Sequence, residues 1–169
     1  GSPDESGIRN IAHLETDRDK TAHEYAISLR QVIEFSGIAP EDIDGAILSS
    51  VVPPINGALV AAARIITGIR PLVVGPGMKT GLNIRYENPR ELGSDRIANA
   101  VAVSTLYGGP AIFIDFGTAT TYGVISAKSE FLGGAIGPGL RMMNRALSTG
   151  TAKLPSIELV LPPQVIGKT

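Results

Sequence analysis

The sequence contains no cysteine. That excludes disulfides, thiol catalysis and thiolate zinc sites, and it fits a reducing compartment. Its only two histidines, His13 and His23, lie near neither a nucleophile nor another ligand, so both read as structural. There is no excess of charge of one sign: 15 Lys and Arg stand against 16 Asp and Glu, a net charge of −1. With no basic run, the chain does not read as a nucleic-acid or anionic-membrane binder. No apolar run reaches membrane-spanning length, and the first residues do not resemble a signal peptide. The default expectation is a soluble cytoplasmic protein. Ser49 and Ser50 lack a Gly-x-Ser-x-Gly elbow. Gly167-Lys168-Thr169 lacks the upstream glycine of a P-loop.

What is present is a chain of 169 residues, 43% hydrophobic and 18% charged, a balance that argues against intrinsic disorder. This length suits one domain or one lobe of a two-lobed protein, and burial of roughly 70% of the unfolded surface supplies a core. Glycine (20) and proline (12) are the unusual numbers. They cluster between apolar runs, at Gly75–Gly77, Gly108–Pro110, Gly117 and Gly133–Gly139, where glycine brings backbone close to a ligand.

Residues 1–7 read as a loop, and the alternation over Ile8–Glu15 predicts a half-buried strand. Thr21 and Glu24 form a capping-box pattern ahead of Ala22, Tyr25, Ala26, Leu29 and Ile33, which predicts a helix to Ser36 ended by Gly37. A turn at Pro40–Asp42 precedes an expected buried strand over Gly45–Val52. A helix over Ile55–Thr67 follows, then short strands at Pro71–Val74 and Leu82–Tyr86. A helix is expected over Glu91–Tyr107. Three strands with short connections (Ala111–Phe116, Thr120–Ser126, Phe131–Ile136) predict an antiparallel meander, followed by a helix over Leu140–Leu147. Alternating strands and helices make this an α/β protein, and the meander makes the sheet mixed.

Three patterns bear on chemistry. In Asp115-Phe116-Gly117-Thr118-Ala119-Thr120-Thr121, an apolar strand ends in an acid and a Gly-Thr turn follows. Such a turn aims N–H groups and hydroxyls at a phosphate, and Asp115 is placed to hold a cation. It is equally a Thr-rich hairpin. Gly133-Gly134-Ala135-Ile136-Gly137-Pro138-Gly139 would let a nucleotide lie against bare backbone, or it is a strand-to-helix corner. Gly93-Ser94-Asp95-Arg96 opens a helix and juxtaposes a base with a cationic clamp. Its bland reading is an acid that suits the helix dipole beside a solvated Arg. Tyr86 reads as a core aromatic or a pocket wall.

Together these patterns resemble type III pantothenate kinase, a bacterial family of the actin-like ATPase superfamily. Further matching segments are Thr16-Asp17-Arg18-Asp19-Lys20-Thr21, Ser49-Ser50-Val51-Val52-Pro53, Val74-Gly75-Pro76-Gly77, Gly81-Leu82-Asn83-Ile84, Asn88-Pro89, Ala152-Lys153-Leu154-Pro155 and Val165-Ile166-Gly167-Lys168. In this order and spacing the set is far more specific than any member.

The resemblance implies transfer of the ATP γ-phosphoryl group to the terminal hydroxyl of pantothenate, the first step towards coenzyme A. It implies Asp95 as the base, with Gly93, Ser94, Asp95, Arg96 and Tyr86 around pantothenate. Gly117, Thr118, Gly133, Gly134, Gly137 and Gly139 would serve ATP, which carries Mg²⁺. Asp115 would bind K⁺ or NH₄⁺, and the enzyme would be a homodimer. The implied fold is ribonuclease H-like, with residues 1–109 in the first lobe and 110–169 starting the second.

The family also has an apolar strand and an Asp-x-Gly-Asn-Thr loop ahead of the segment matching Ile8, and a substrate-contacting Thr just past the position of Thr169. The resemblance therefore implies a chain shortened at both ends, inactive and marginally soluble by itself. Two other functions stay open: a non-catalytic regulatory relative, and an acetate- or sugar-kinase-like ATPase.

Overall fold

The computed structural model describes residues 7–8, 10–75, 77–88, 91–161, 164 and 166. Residues 1–6 of the expected loop, together with Pro76, Pro89, Val165 and Gly167–Thr169 of the matching segments, lie outside the described residues. The chain forms two compact units, one of residues 1–78 and 93–95, the other of residues 79–92 and 96–169. The second unit includes residues on both sides of position 109, with residues 83–84 paired to residues 130–131. Among the described residues no helix is long and apolar enough to cross a membrane.

In the first unit, α1 (Ala22–Phe35) starts at a complete capping box, with the Thr21 side chain accepting from the Glu24 amide and Glu24 accepting from the Thr21 amide at 2.7 Å. It ends at Ser36, with Gly37 at φ 71°. A 3₁₀ turn (Pro40–Asp42) leads to β1 (Ile47–Leu48) and then α2 (Pro53–Thr67), which opens on a proline and closes on left-handed Gly68. Strand β2 (Leu72–Val73) pairs with β1 in parallel. Tyr25, Ala26 and Ala62 form the buried centre, with Leu29, Ala58, Leu59 and Ile66 packed around it. Small alanines on both helices allow the close approach, and Tyr25 reaches outward to donate its hydroxyl to the Asp17 carbonyl.

Two expectations fail here. Among the described residues of Ile8–Glu15 there is no strand, and these residues are exposed. Alternation alone does not make a strand, which is stable only as part of a larger sheet. The buried strand over Gly45–Val52 shrinks to two residues, with Ile47 67% exposed.

The second unit is built on a four-stranded sheet in the order β3-β6-β5-β4. Its strands are β3 (Asn83–Ile84), β4 (Ala111–Phe116), β5 (Ala119–Ile125) and β6 (Glu130–Pro138). β4, β5 and β6 form the expected antiparallel meander, and β3 joins β6 in parallel. The sheet is therefore mixed. Helix α3 (Ser94–Leu106) precedes β4, and α4 (Leu140–Gly150) follows β6.

The expected burial of β4 is one-sided. Ile112, Ile114 and Phe116 are exposed, while Ala111, Phe113 and Asp115 on the opposite face are half-buried. Phe113 stacks on Phe131 with ring centroids 6.2 Å apart, and Phe131 and Ile125 are the largest fully buried side chains. The Phe113 ring lies flat over Gly123, where an added Cβ would stand 2.1 Å from it.

The strand expected over Phe131–Ile136 is present and extends from Glu130 to Pro138. Gly133, Gly134 and Gly137 lie within β6, paired with Val124, Gly123 and Thr120. The pairing register shifts between Val124 and Ile125, and Gly133 takes φ 111° at that irregularity. Only glycine adopts this backbone cheaply, so the residue serves a β-bulge.

Candidate functional site

The Gly93–Arg96 segment divides its labour. Ser94, the first residue of α3, is buried, and its hydroxyl donates to the Ser50 carbonyl at 2.8 Å. That bond fixes the helix start against the end of the β1 segment. Asp95 is exposed and makes no hydrogen bond or ion pair among the described residues. Its carboxylate folds back over Gly93, where a Cβ would stand 2.3 Å from Oδ1. Glycine at 93 is thus what leaves room for this carboxylate. An unpartnered, solvent-facing carboxylate in the first helical turn is open to a substrate hydroxyl, as a general base must be.

Arg96 is not the solvated cation of the bland reading. It is 6% exposed, with its guanidinium 5.9 Å from the Tyr86 ring centroid and 5.8 Å from that of Phe131. One terminal nitrogen donates to the Tyr122 carbonyl at 3.3 Å. It forms no salt bridge among the described residues. A guanidinium held by two aromatic faces has further N–H donors for an anionic group. Tyr86 also lines a cavity of about 470 Å³ with Arg85, Asn88, Glu91 and Gly133. Gly133 bounds it closely, since a Cβ there would touch the Tyr86 ring at 3.4 Å. Tyr86 is therefore a pocket wall.

Gly117, Thr118 and Ala119 connect the last β4–β5 pair, Phe116 and Thr120, so the hairpin and the Gly-Thr turn are one object. Gly139 caps α4 and packs on that turn, donating its N–H to the Thr118 carbonyl at 3.2 Å. A Cβ at Gly139 would meet the carbonyl oxygens of Thr118 and Gly117 at 2.3 and 2.4 Å. The Thr120 hydroxyl, expected to face a phosphate, instead donates to the Pro138 carbonyl at 3.0 Å. Thr118 keeps its hydroxyl free among the described residues. Gly134 leaves no space for a side chain, because a Cβ would sit 1.8 Å from the Tyr122 carbonyl oxygen.

Asp115 accepts from the Asn99 side-chain amide at 2.9 Å. Among the described residues no group of three or more His, Cys, Asp and Glu could hold a metal ion. Asn99 had no reading in the sequence, although it lies one helical turn beyond Asp95, a spacing that shares a helix face.

Asn144 was also missed. Its side-chain amide donates to the Ile157 carbonyl at 2.7 Å and its oxygen accepts from the Ile157 N–H at 3.1 Å. It pins the extended segment beyond α4 as a strand neighbour would.

A family model described as type III pantothenate kinase matches residues 3–169. The chain is 54% identical over 153 residues to a type III pantothenate kinase of Moorella thermoacetica (strain ATCC 39073 / JCM 9320), a match covering 90% of this chain and 60% of that protein. The chain thus spans about three fifths of the length of this curated relative. With the match running across both units and through every segment just described, the chain belongs to the type III pantothenate kinase family.

Proposed function

We propose that the protein phosphorylates pantothenate with ATP, yielding 4′-phosphopantothenate and ADP at the entry to coenzyme A synthesis. The observation that carries this reading is Asp95, an unpartnered carboxylate kept clear by Gly93 at the open start of α3. The Asp95 carboxylate takes the proton of the pantothenate terminal hydroxyl. That oxygen forms the new bond to the γ-phosphorus, and the bond from the γ-phosphorus to the β,γ-bridging oxygen breaks with its electron pair leaving on ADP. Arg96, charged and held between two rings, is suited to the pantothenate carboxylate, and Tyr86 to the wall beside it. The free Thr118 hydroxyl serves the phosphate chain. Gly139 holds the turn to α4, while Gly133, Gly134 and Gly137 support ATP binding through the packing of β6 rather than as a bare loop. Mg²⁺ arrives with ATP.

Asp115, steadied by Asn99, would hold K⁺ or NH₄⁺, whose charge offsets that of the phosphates. A homodimer working in the cytoplasm, with residues 1–109 and 110–169 contributing to its two lobes, completes the reading.

The test is pantothenate-dependent ADP release by the intact protein in K⁺ and in Na⁺. Asp95→Asn should lower kcat by about 10²–10⁴-fold while ATP binding persists, the usual contribution of a general base. Pantothenate-independent ATP turnover would favour another kinase acceptor. ATP binding without turnover in the unaltered protein would favour a non-catalytic relative.

A further inference from the structure

A cavity of about 480 Å³ lies between the β4–β5 turn and the first turn of α4. It falls within the size range of small-ligand sites. Its lining has two chemical characters. Phe116, Met142 and Leu159 give it apolar walls, and Thr118 and Arg141 give it a polar end. Among the described residues of that lining Arg141 is the only charged one. It is exposed, and among the described residues it makes no salt bridge or hydrogen bond. The first turn of α4 holds no acidic residue to neutralise it.

The Thr118 hydroxyl in the same cavity is equally unspent. A rigid fork of N–H donors, a free hydroxyl and an apolar wall in one cavity match a ligand with an oxyanion chain and a flat apolar body. Leu159 belongs to the extended segment that Asn144 pins at Ile157, so that wall is held in place rather than left loose.

We propose that Arg141 grips the phosphate chain of the nucleotide in this cavity and sets the preference for a polyphosphate over a bare nucleoside. The inference rests on the ATP-dependent reading above and adds a residue to it. Charge-assisted bonds from a guanidinium to phosphate oxygens contribute enough to change affinity about tenfold or more.

The test is equilibrium binding to the intact protein of a fluorescent ATP analogue, displaced by ATP, adenosine or inorganic triphosphate. Arg141→Gln should weaken ATP and triphosphate about tenfold or more and leave adenosine within about twofold. Arg141→Lys should restore part of the loss, since it returns the charge without the fork. In the unaltered protein ATP affinity should fall with added salt while adenosine affinity stays level, a measurement that needs no variant to fold. Equal ATP affinity in Arg141→Gln and the unaltered protein overturns this inference and leaves the kinase reading intact. Equal losses for adenosine and ATP also overturn it. No nucleotide binding by the unaltered protein overturns both.

Discussion

Gly93 and Asp95 show how a single hydrogen atom in place of a side chain sets up chemistry. The obstacle to a Cβ at 93 is the tip of the Asp95 side chain, not backbone. Gly93→Ala is therefore accommodated by rotating that carboxylate away, at little cost to folding. Under the proposed function, thermal stability should change by less than about 1 kcal/mol, as for a surface substitution. Turnover should fall at least about tenfold, the scale on which misplaced reacting groups are felt. Melting curves and steady-state rates on the same preparation check both. Equal rates would detach Asp95 from the reaction. Arg96 teaches the opposite lesson. The sequence pairs it with Asp95 as a clamp or leaves it in solvent, and nothing in the order of residues announces two aromatic rings from distant segments around it.

At the level of elements, what the sequence shows well is what is settled locally. Helix α1 follows from its own cap and spacing, and its expected limits miss by one residue because Ser36 serves as the cap rather than the last turn. Glu24 reaches back to the Thr21 backbone amide and side chain, and these bonds hold its carboxyl below the ordinary value of 4.5. A carboxyl lowered on folding adds stability that is fully present above 4.5 and is lost as pH falls through the folded-state value. Acidification below about pH 4.5 should therefore fray the start of α1 first, and Glu24→Gln should flatten that dependence, as amide chemical shifts of residues 21–25 would report. Fraying at the same pH in both proteins would assign it elsewhere.

Strands are less legible because their partners are remote. The Ile8–Glu15 alternation forms no strand among the described residues, whereas the strand expected over Phe131–Ile136 runs on to Pro138, through three of the four glycines of the Gly133–Gly139 run. There the glycines answer to neighbours: a bulge at 133, a facing carbonyl at 134, a turn at 139. Those contacts exist only once β5 and β6 have paired.

For the whole molecule, the ordered set of motifs carried the family, whereas the division into units depended on contacts no motif displays. The two-residue β3 joins β6 across 47 positions of chain, from Asn83 to Glu130, and brings its segment into the second unit. The position of β5 has a consequence that time would reveal. It is bonded to β4 on one side and β6 on the other, while among the described residues β4 has β5 alone. In deuterated water the amides of residues 119–125 should be the last in their unit to exchange. β4 should split, with inward-bonded amides slow and alternate, outward-facing ones fast. Mass spectrometry over a logarithmic series of exposures would resolve that order, and the lifetime of the slowest β5 amide would measure how rarely the second unit opens.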